Sequence, residues 1–205
     1  MEYKDMIIKE KILPYFPLNI ALLPGEDIPL RIFEPRYKQL INECSKHGIT
    51  FGMPFIDDSK VQPFGSEVRL KQIVATNSLG EMVIVVEGVN IFEVLSLEDP
   101  MSDKLYSGGK VKVLDFNQFV QNTELIRTVI YYMDHIDPGF IKNFTPEGIY
   151  ILDIARALNL SSTDKFKYIF TKSPEQQEKF LLMQLKCTMK LREQEKKLNN
   201  DFSLN

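Results

Sequence analysis

Two cysteines, two histidines and no apolar run longer than the five residues Met82 to Val86: these scarcities bound the 205-residue chain first. A run of that length cannot cross a bilayer, which takes about 20 apolar residues. The amino terminus, MEYKDMIIKEKILPYF, lacks the apolar core and small-residue cleavage site of a signal peptide. Two cysteines without paired spacing point to free thiols and a reducing compartment, the cytoplasm. H-E-x-x-H, C-x-x-C and G-x-G-x-x-G are all missing, so no metal or cofactor is expected. Gly108-Gly109-Lys110 runs into Val111 and lacks the earlier glycine of a phosphate-binding loop. No serine sits in a glycine-flanked nucleophile turn. Cationic surface is scarce too. Residues 1–116 carry 13 Lys/Arg against 17 Asp/Glu, and residues 117–205 carry 12 against 11. Neither part is an electrostatic footprint for nucleic acid.

What is present is conformational punctuation. In NIALLPGEDIPLRIFEPRYKQL (residues 19–40), Pro24-Gly25 marks a turn. Ile28, Leu30 and Ile32 then alternate with Pro29 and Arg31, the period of a half-buried strand. Pro29 lacks an N–H, so that strand needs a free side. Pro35 opens a helix that carries Tyr37, Leu40, Ile41 and Cys44 on one face and closes at Lys46-His47-Gly48.

Further strands are expected over Pro14 to Ile20, Thr50 to Ile56, Val68 to Val74, Met82 to Leu97 and Lys110 to Phe116. Met6 to Ile8 can add an edge strand. Pro54 argues against a position paired on both sides. Gly88 interrupts the most β-prone stretch and predicts a bend there. After residue 116 the pattern turns helical. One helix runs past Leu125, Val129 or Thr128, and Tyr132. Another starts at Thr145-Pro146-Glu147 and runs through Leu158. A third is capped by Ser161 or Ser162, with Phe166, Ile169 and Phe170 facing in. The last opens with a capping box at Ser173-Pro174-Glu175-Gln176 and runs to about Leu198. Phe180, Met183 or Gln184, Cys187 and Leu191 lie near heptad spacing on it, with Leu181, Leu185 and Met189 on an adjoining row. Two lobes follow, β-rich over residues 1–116 and helical over 117–205.

Leu22-Leu23-Pro24-Gly25, Ile28-Pro29-Leu30 and Ile32-Phe33-Glu34-Pro35-Arg36-Tyr37 resemble the opening motif of the Lon protease amino-terminal domain. The match is to bacterial proteins consisting of that domain alone. Glu87-Gly88 followed by Phe92 and Val94, and Tyr150 to Ala155 with Leu158 to Ser161, extend the resemblance over most of the chain. It departs at Asn90-Ile91, where relatives more often carry an arginine before the phenylalanine. The fold implied is α+β: a PUA-like β pseudo-barrel with one inserted helix, then a helical bundle with a long last helix. The function implied is a non-enzymatic substrate-recognition module that binds exposed apolar or extended segments of other proteins, for a protease or chaperone in trans. Lon's ATPase and serine–lysine protease segments have no counterpart in the sequence.

Single residues add little chemistry. His47 and His135 sit near helix ends, where a cation is favoured. Cys44 and Cys187 fall on apolar helix faces and read as core. Asp57-Asp58 is a solvated turn, and Glu34 with Arg36 reads as a local ion pair at the helix start. Free strand edges and prolines in strands suit strand addition by an extended peptide. Phe33, Arg36, Tyr37, Met53, Phe55 and Phe64 are the candidate peptide-binding residues; core packing is the plain alternative for the apolar ones. RNA binding and an enzyme with an unmarked site are the competing functions. The acidic first lobe counts against RNA.

Overall fold

The computed structural model describes residues 10–115, 118–141, 148–171 and 173–202, and side chains as far as residue 195. The possible edge strand at Met6 to Ile8, Phe116 and the residues Thr145-Pro146-Glu147 lie outside the described residues. The helix expected to start at Thr145-Pro146-Glu147 begins only at Ile151, because Tyr150 is extended at φ −77° and ψ 139° and bridges Phe119. The chain divides into two compact units, Met1–Asp115 and Phe116–Asn205.

The first unit holds β1 (Glu10–Pro14), β2 (Asp27–Ile32), α1 (Pro35–His47), β3 (Phe51–Asp57), β4 (Lys60–Thr76), β5 (Met82–Val94) and β6 (Gly108–Leu114). All six strands form one antiparallel sheet in the order β1-β6-β5-β4-β3, with β2 also on β5. Along one edge of β5, β2 pairs with Met82 to Glu87 and β6 with Ile91 to Val94. The change of partner falls at Gly88, where the sequence predicts the bend. The sheet then closes on itself. Tyr15 and Leu18 bridge Gly52 and Phe55 of β3, and the N–H groups of Phe16 and Leu18 donate to the carbonyls of Gly52 and Pro54 at 2.8 and 3.1 Å. The result is a pseudo-barrel.

Prolines set the details. Pro29 lies in β2, which has β5 as its one strand partner among the described residues. Pro54, expected to rule out pairing on both sides, lies opposite Gly65 of β4 and also accepts from the Leu18 N–H through its carbonyl. The proline is tolerated because that contact needs no N–H, and the β3–β4 register slips between Pro54 and Ile56. Of residues 14–20, read as a strand, Pro14 ends β1 opposite Gly108 and the rest form only bridges at Tyr15 and Leu18, Pro17 between them having no N–H to donate. The regular strand ends at Pro14 instead.

Helix α1 buries the predicted Tyr37, Leu40, Ile41 and Cys44 against Phe51, Met53, Val68, Ile84 and Val86. It ends at Gly48, left-handed at φ 66°, whose N–H donates to the Cys44 carbonyl at 2.9 Å. A smaller cluster, Leu13, Tyr15, Phe92 and Val111, fills the other part of the barrel.

The second unit holds α2 (Thr123–His135), α3 (Ile151–Ala157), α4 (Ser162–Phe170) and α5 (Pro174–Phe202). Asn122 caps α2 by accepting from the N–H groups of Glu124 and Leu125, and Ser161 caps α4 through the Asp164 N–H. Leu125, Val129 and Tyr132 of α2 are buried, as their spacing predicts. On α4, Tyr168 and Ile169 are buried while Phe170 is exposed, one position away from the expected face. At the start of α5 it is Gln177, one residue beyond the expected capping box, that reaches back. Its Nε2 donates to the Thr171 carbonyl at 2.8 Å.

The inward face of α5 also differs from expectation. Glu178, Leu181, Leu182 and Leu185 are buried, whereas Met183, Cys187 and Leu191 are exposed. Two apolar rows run along this helix, and the bundle covers only one. Cys187 is therefore a surface thiol and Cys44 alone is a core one.

Candidate interaction surface

Four of the six candidate residues lie in the interior. Tyr37, Met53, Phe55 and Phe64 are 6%, 0%, 4% and 2% exposed. Met53 packs in the core cluster beneath α1, with Tyr37, Leu40 and Val68. Tyr37 stacks on Phe16, with ring centroids 3.9 Å apart. These four are packing residues and offer nothing to a partner in this arrangement.

Phe33 and Arg36 differ. Phe33 is 61% exposed, directly after β2. Arg36 pairs with Glu34 at 2.8 Å and lies over the Tyr37 ring, 4.5 Å from its centroid. That is the local ion pair the sequence suggests, and it fixes the start of α1.

The surface that sequence reasoning missed is the second half of β4. Strand β3 has seven residues and β4 has 17, so β4 outruns its partner. Among the described residues, Arg69 to Thr76 pair with β5 alone and leave the other edge open. Lys71 to Leu79 are exposed without interruption. The alternating pattern predicts this strand only from Val68 to Val74, the same seven residues in length as β3, so its true start at Lys60 and the overhang that results were missed.

Charge and apolar surface are separated on this extension. Arg69 pairs with Glu87 at 2.8 Å and Lys71 with Asp27 at 2.5 Å, a row spanning β4, β5 and β2. The Asp27 carboxylate beside it holds the Lys71 ammonium above its usual range. Toward the hairpin, Val74 and Leu79 are 56% and 75% exposed. Thr76 and Ile32 both lie opposite Met82, so the hairpin and Phe33 share one end of the three strands. Lys38 of α1 ties that end down by donating to the Leu79 carbonyl at 2.8 Å. Val74 and Leu79 thus present apolar surface along and at the end of a strand edge that is unpaired among the described residues, and Phe33 lies at the same end of the sheet, across β5.

No group of three or more His, Cys, Asp or Glu side chains suited to a metal ion occurs among the described residues. Among them, no helix is long and apolar enough to cross a membrane.

An antiparallel pseudo-barrel with one inserted helix, followed by a helical unit with a long last helix, defines an α+β fold. Residues 12–202 match the ATP-dependent protease La (LON) substrate-binding domain, and the chain belongs to that family. Two solved structures agree. The Lon N-terminal domain protein from Xanthomonas campestris is 26% identical, with a TM-score of 0.61 over 84% of this chain and 98% of its own. The N-terminal domain of the Mycobacterium avium complex Lon protease shares the fold at 12% identity, with a TM-score of 0.58 over 86% of this chain and 98% of its own. No curated protein matches the chain.

Proposed function

We propose that the chain is a non-catalytic binding module that receives exposed, extended apolar segments of other proteins in the cytoplasm. It would present them to a protease or chaperone acting in trans. The observation that carries this reading is the open edge of β4 from Arg69 to Thr76, with the exposed Val74 on it, Leu79 in the hairpin at its end and Phe33 at the same end of the sheet, across β5.

An unpaired edge offers main-chain donors and acceptors to any extended segment, so it binds backbone without demanding a sequence. Apolar side chains at its end add affinity for segments that a folded protein would hide. The edge is also guarded. Lys71 and the register slips at Leu70/Gln72 and Ile73/Ala75 interrupt the ladder, which discourages indiscriminate sheet growth. The free edge of β2 carries Pro29 and is the poorer acceptor of a strand.

The test is fluorescence anisotropy with a reduced, carboxymethylated globular protein as the unfolded probe and its native form as control. The unfolded probe should bind and the native form should not. Burying one apolar side chain contributes about 1.5–3 kcal/mol, so replacing Phe33 and Leu79 together by aspartate should weaken binding about tenfold or more. Equal binding of both probe forms, or an unaffected double variant that retains its circular dichroism spectrum, would overturn the proposal.

A further inference from the structure

We infer that the outward face of α5 docks an acidic amphipathic helix of a partner protein. This surface lies in the second unit and is independent of the β4 edge. Met183, Cys187 and Leu191 are spaced by four residues, so they form one stripe along the helix. Met183 and Leu191 are 58% and 60% exposed, and Cys187 is exposed. Leu181, Leu182 and Leu185 already meet the packing needs of the bundle. A second apolar stripe on the same helix therefore has no internal partner among the described residues.

Beside the stripe lies an open groove of about 360 Å³, lined by Lys179, Leu182, Met183, Lys186, Cys187 and Lys190. Its lining holds three lysines and no carboxylate. Lys186 pairs with Glu124 at 2.5 Å; Lys179 and Lys190 have no ion pair among the described residues. An apolar row flanked on one side by free cations is complementary to a helix with apolar residues at i, i+3 or i+4 and i+7, bordered by glutamates. A second copy of this chain fits less well. A two-fold pair lays one surface on itself, so the lysine flank would meet lysines.

Cys187 provides the readout, because Cys44 is buried and burial pushes its thiol up to about 12. The experiment follows maleimide labelling of Cys187 in the full chain. Two synthetic helical peptides share one leucine pattern, one bordered by glutamates and the other by lysines. The glutamate peptide should slow labelling at least fivefold at saturation, less so as salt rises, and the lysine peptide should not. In K179E/K190E the preference should reverse. Equal protection by both peptides, or protection by neither, overturns the inference. So does slowing of labelling without peptide as the protein concentration rises, which would mark a second copy as the occupant.

Discussion

The Gly25 N–H donates to the Gly88 carbonyl at 2.8 Å, and the Gly88 N–H donates to the Glu26 carbonyl at the same distance. The turn before β2 is thereby stitched to the bend of β5. Both glycines are needed for geometric reasons. Gly25 has φ 82°, and a Cβ on Gly88 would lie 2.3 Å from the Leu23 carbonyl oxygen. That oxygen belongs to backbone, so it cannot swing aside as a side chain end would. Gly88→Ala should therefore lower stability in urea titration by about 2–3 kcal/mol, the range of a forced overpacking. Gly48→Ala is the comparison, since Gly48 has φ 66° but open space around it. It should cost about 1 kcal/mol, the conformational part alone. Equal losses at the two positions would mean that the Leu23 contact is not what requires Gly88.

Glu67 is 1% exposed, yet its carboxyl is held below the ordinary carboxylate value. Burial on its own raises it. Hydrogen bonds from Lys11, Thr50 and Asn90 outweigh burial; the Lys11 ammonium lies 2.5 Å from Oε1, the Thr50 hydroxyl 2.6 Å from Oε1 and the Asn90 amide 2.8 Å from Oε2. These donors draw β1, the start of β3 and β5 onto β4. A carboxyl depressed in the folded state contributes stability above its unfolded value, near 4.5, and that stability is lost as pH falls through the folded value. Glu67→Gln should cost about 1–3 kcal/mol at pH 7, because Lys11 keeps access to water while the buried donors lose a charged acceptor. The variant should also show a shallower fall in stability below pH 4.5 when urea midpoints are plotted against pH. An unchanged acid limb would refute this assignment.

Local order was legible where a residue dictates backbone. Pro35 and Gly48 bracket α1 and Gly88 marks the bend of β5, whereas the pairing of Asn90 with Glu67 is one that no spacing could reveal. The face that an element buries was harder to read. On α5, Leu181 and Leu185 stand on one row and Met183, Cys187 and Leu191 on another, and hydrophobicity alone cannot rank them. The bundle chose the first because Glu178 lies on that side with its own buried task. Met53, Phe55 and Phe64 looked like binding residues because aromatic and methionine side chains suit both cores and ligand surfaces. Closure of the sheet decided between the two roles. That closure depends on pairings between distant residues, such as Tyr15 with Gly52, which no local pattern records.

The task of Glu178 supplies the last prediction. Its side chain is 3% exposed, with Oε1 accepting from the Gln121 N–H at 2.7 Å and Oε2 from the Asn122 N–H at 2.8 Å. Asn122 in turn caps α2, so a carboxylate on α5 fixes the point at which α2 begins. Two backbone donors meet two acceptor oxygens, and the arrangement tolerates no exchange of acceptor for donor. Glu178→Ala leaves both N–H groups unsatisfied and should cost about 1–3 kcal/mol. Glu178→Gln keeps the shape but turns an amide NH₂ toward one of the N–H groups, so it should cost nearly as much. Hydrogen exchange at Gln121 and Asn122 should accelerate in both variants, and not in Glu175→Gln, whose side chain is exposed on the first turn of α5. A neutral Glu178→Gln would show that shape, and not the pair of acceptors, holds α2 to α5.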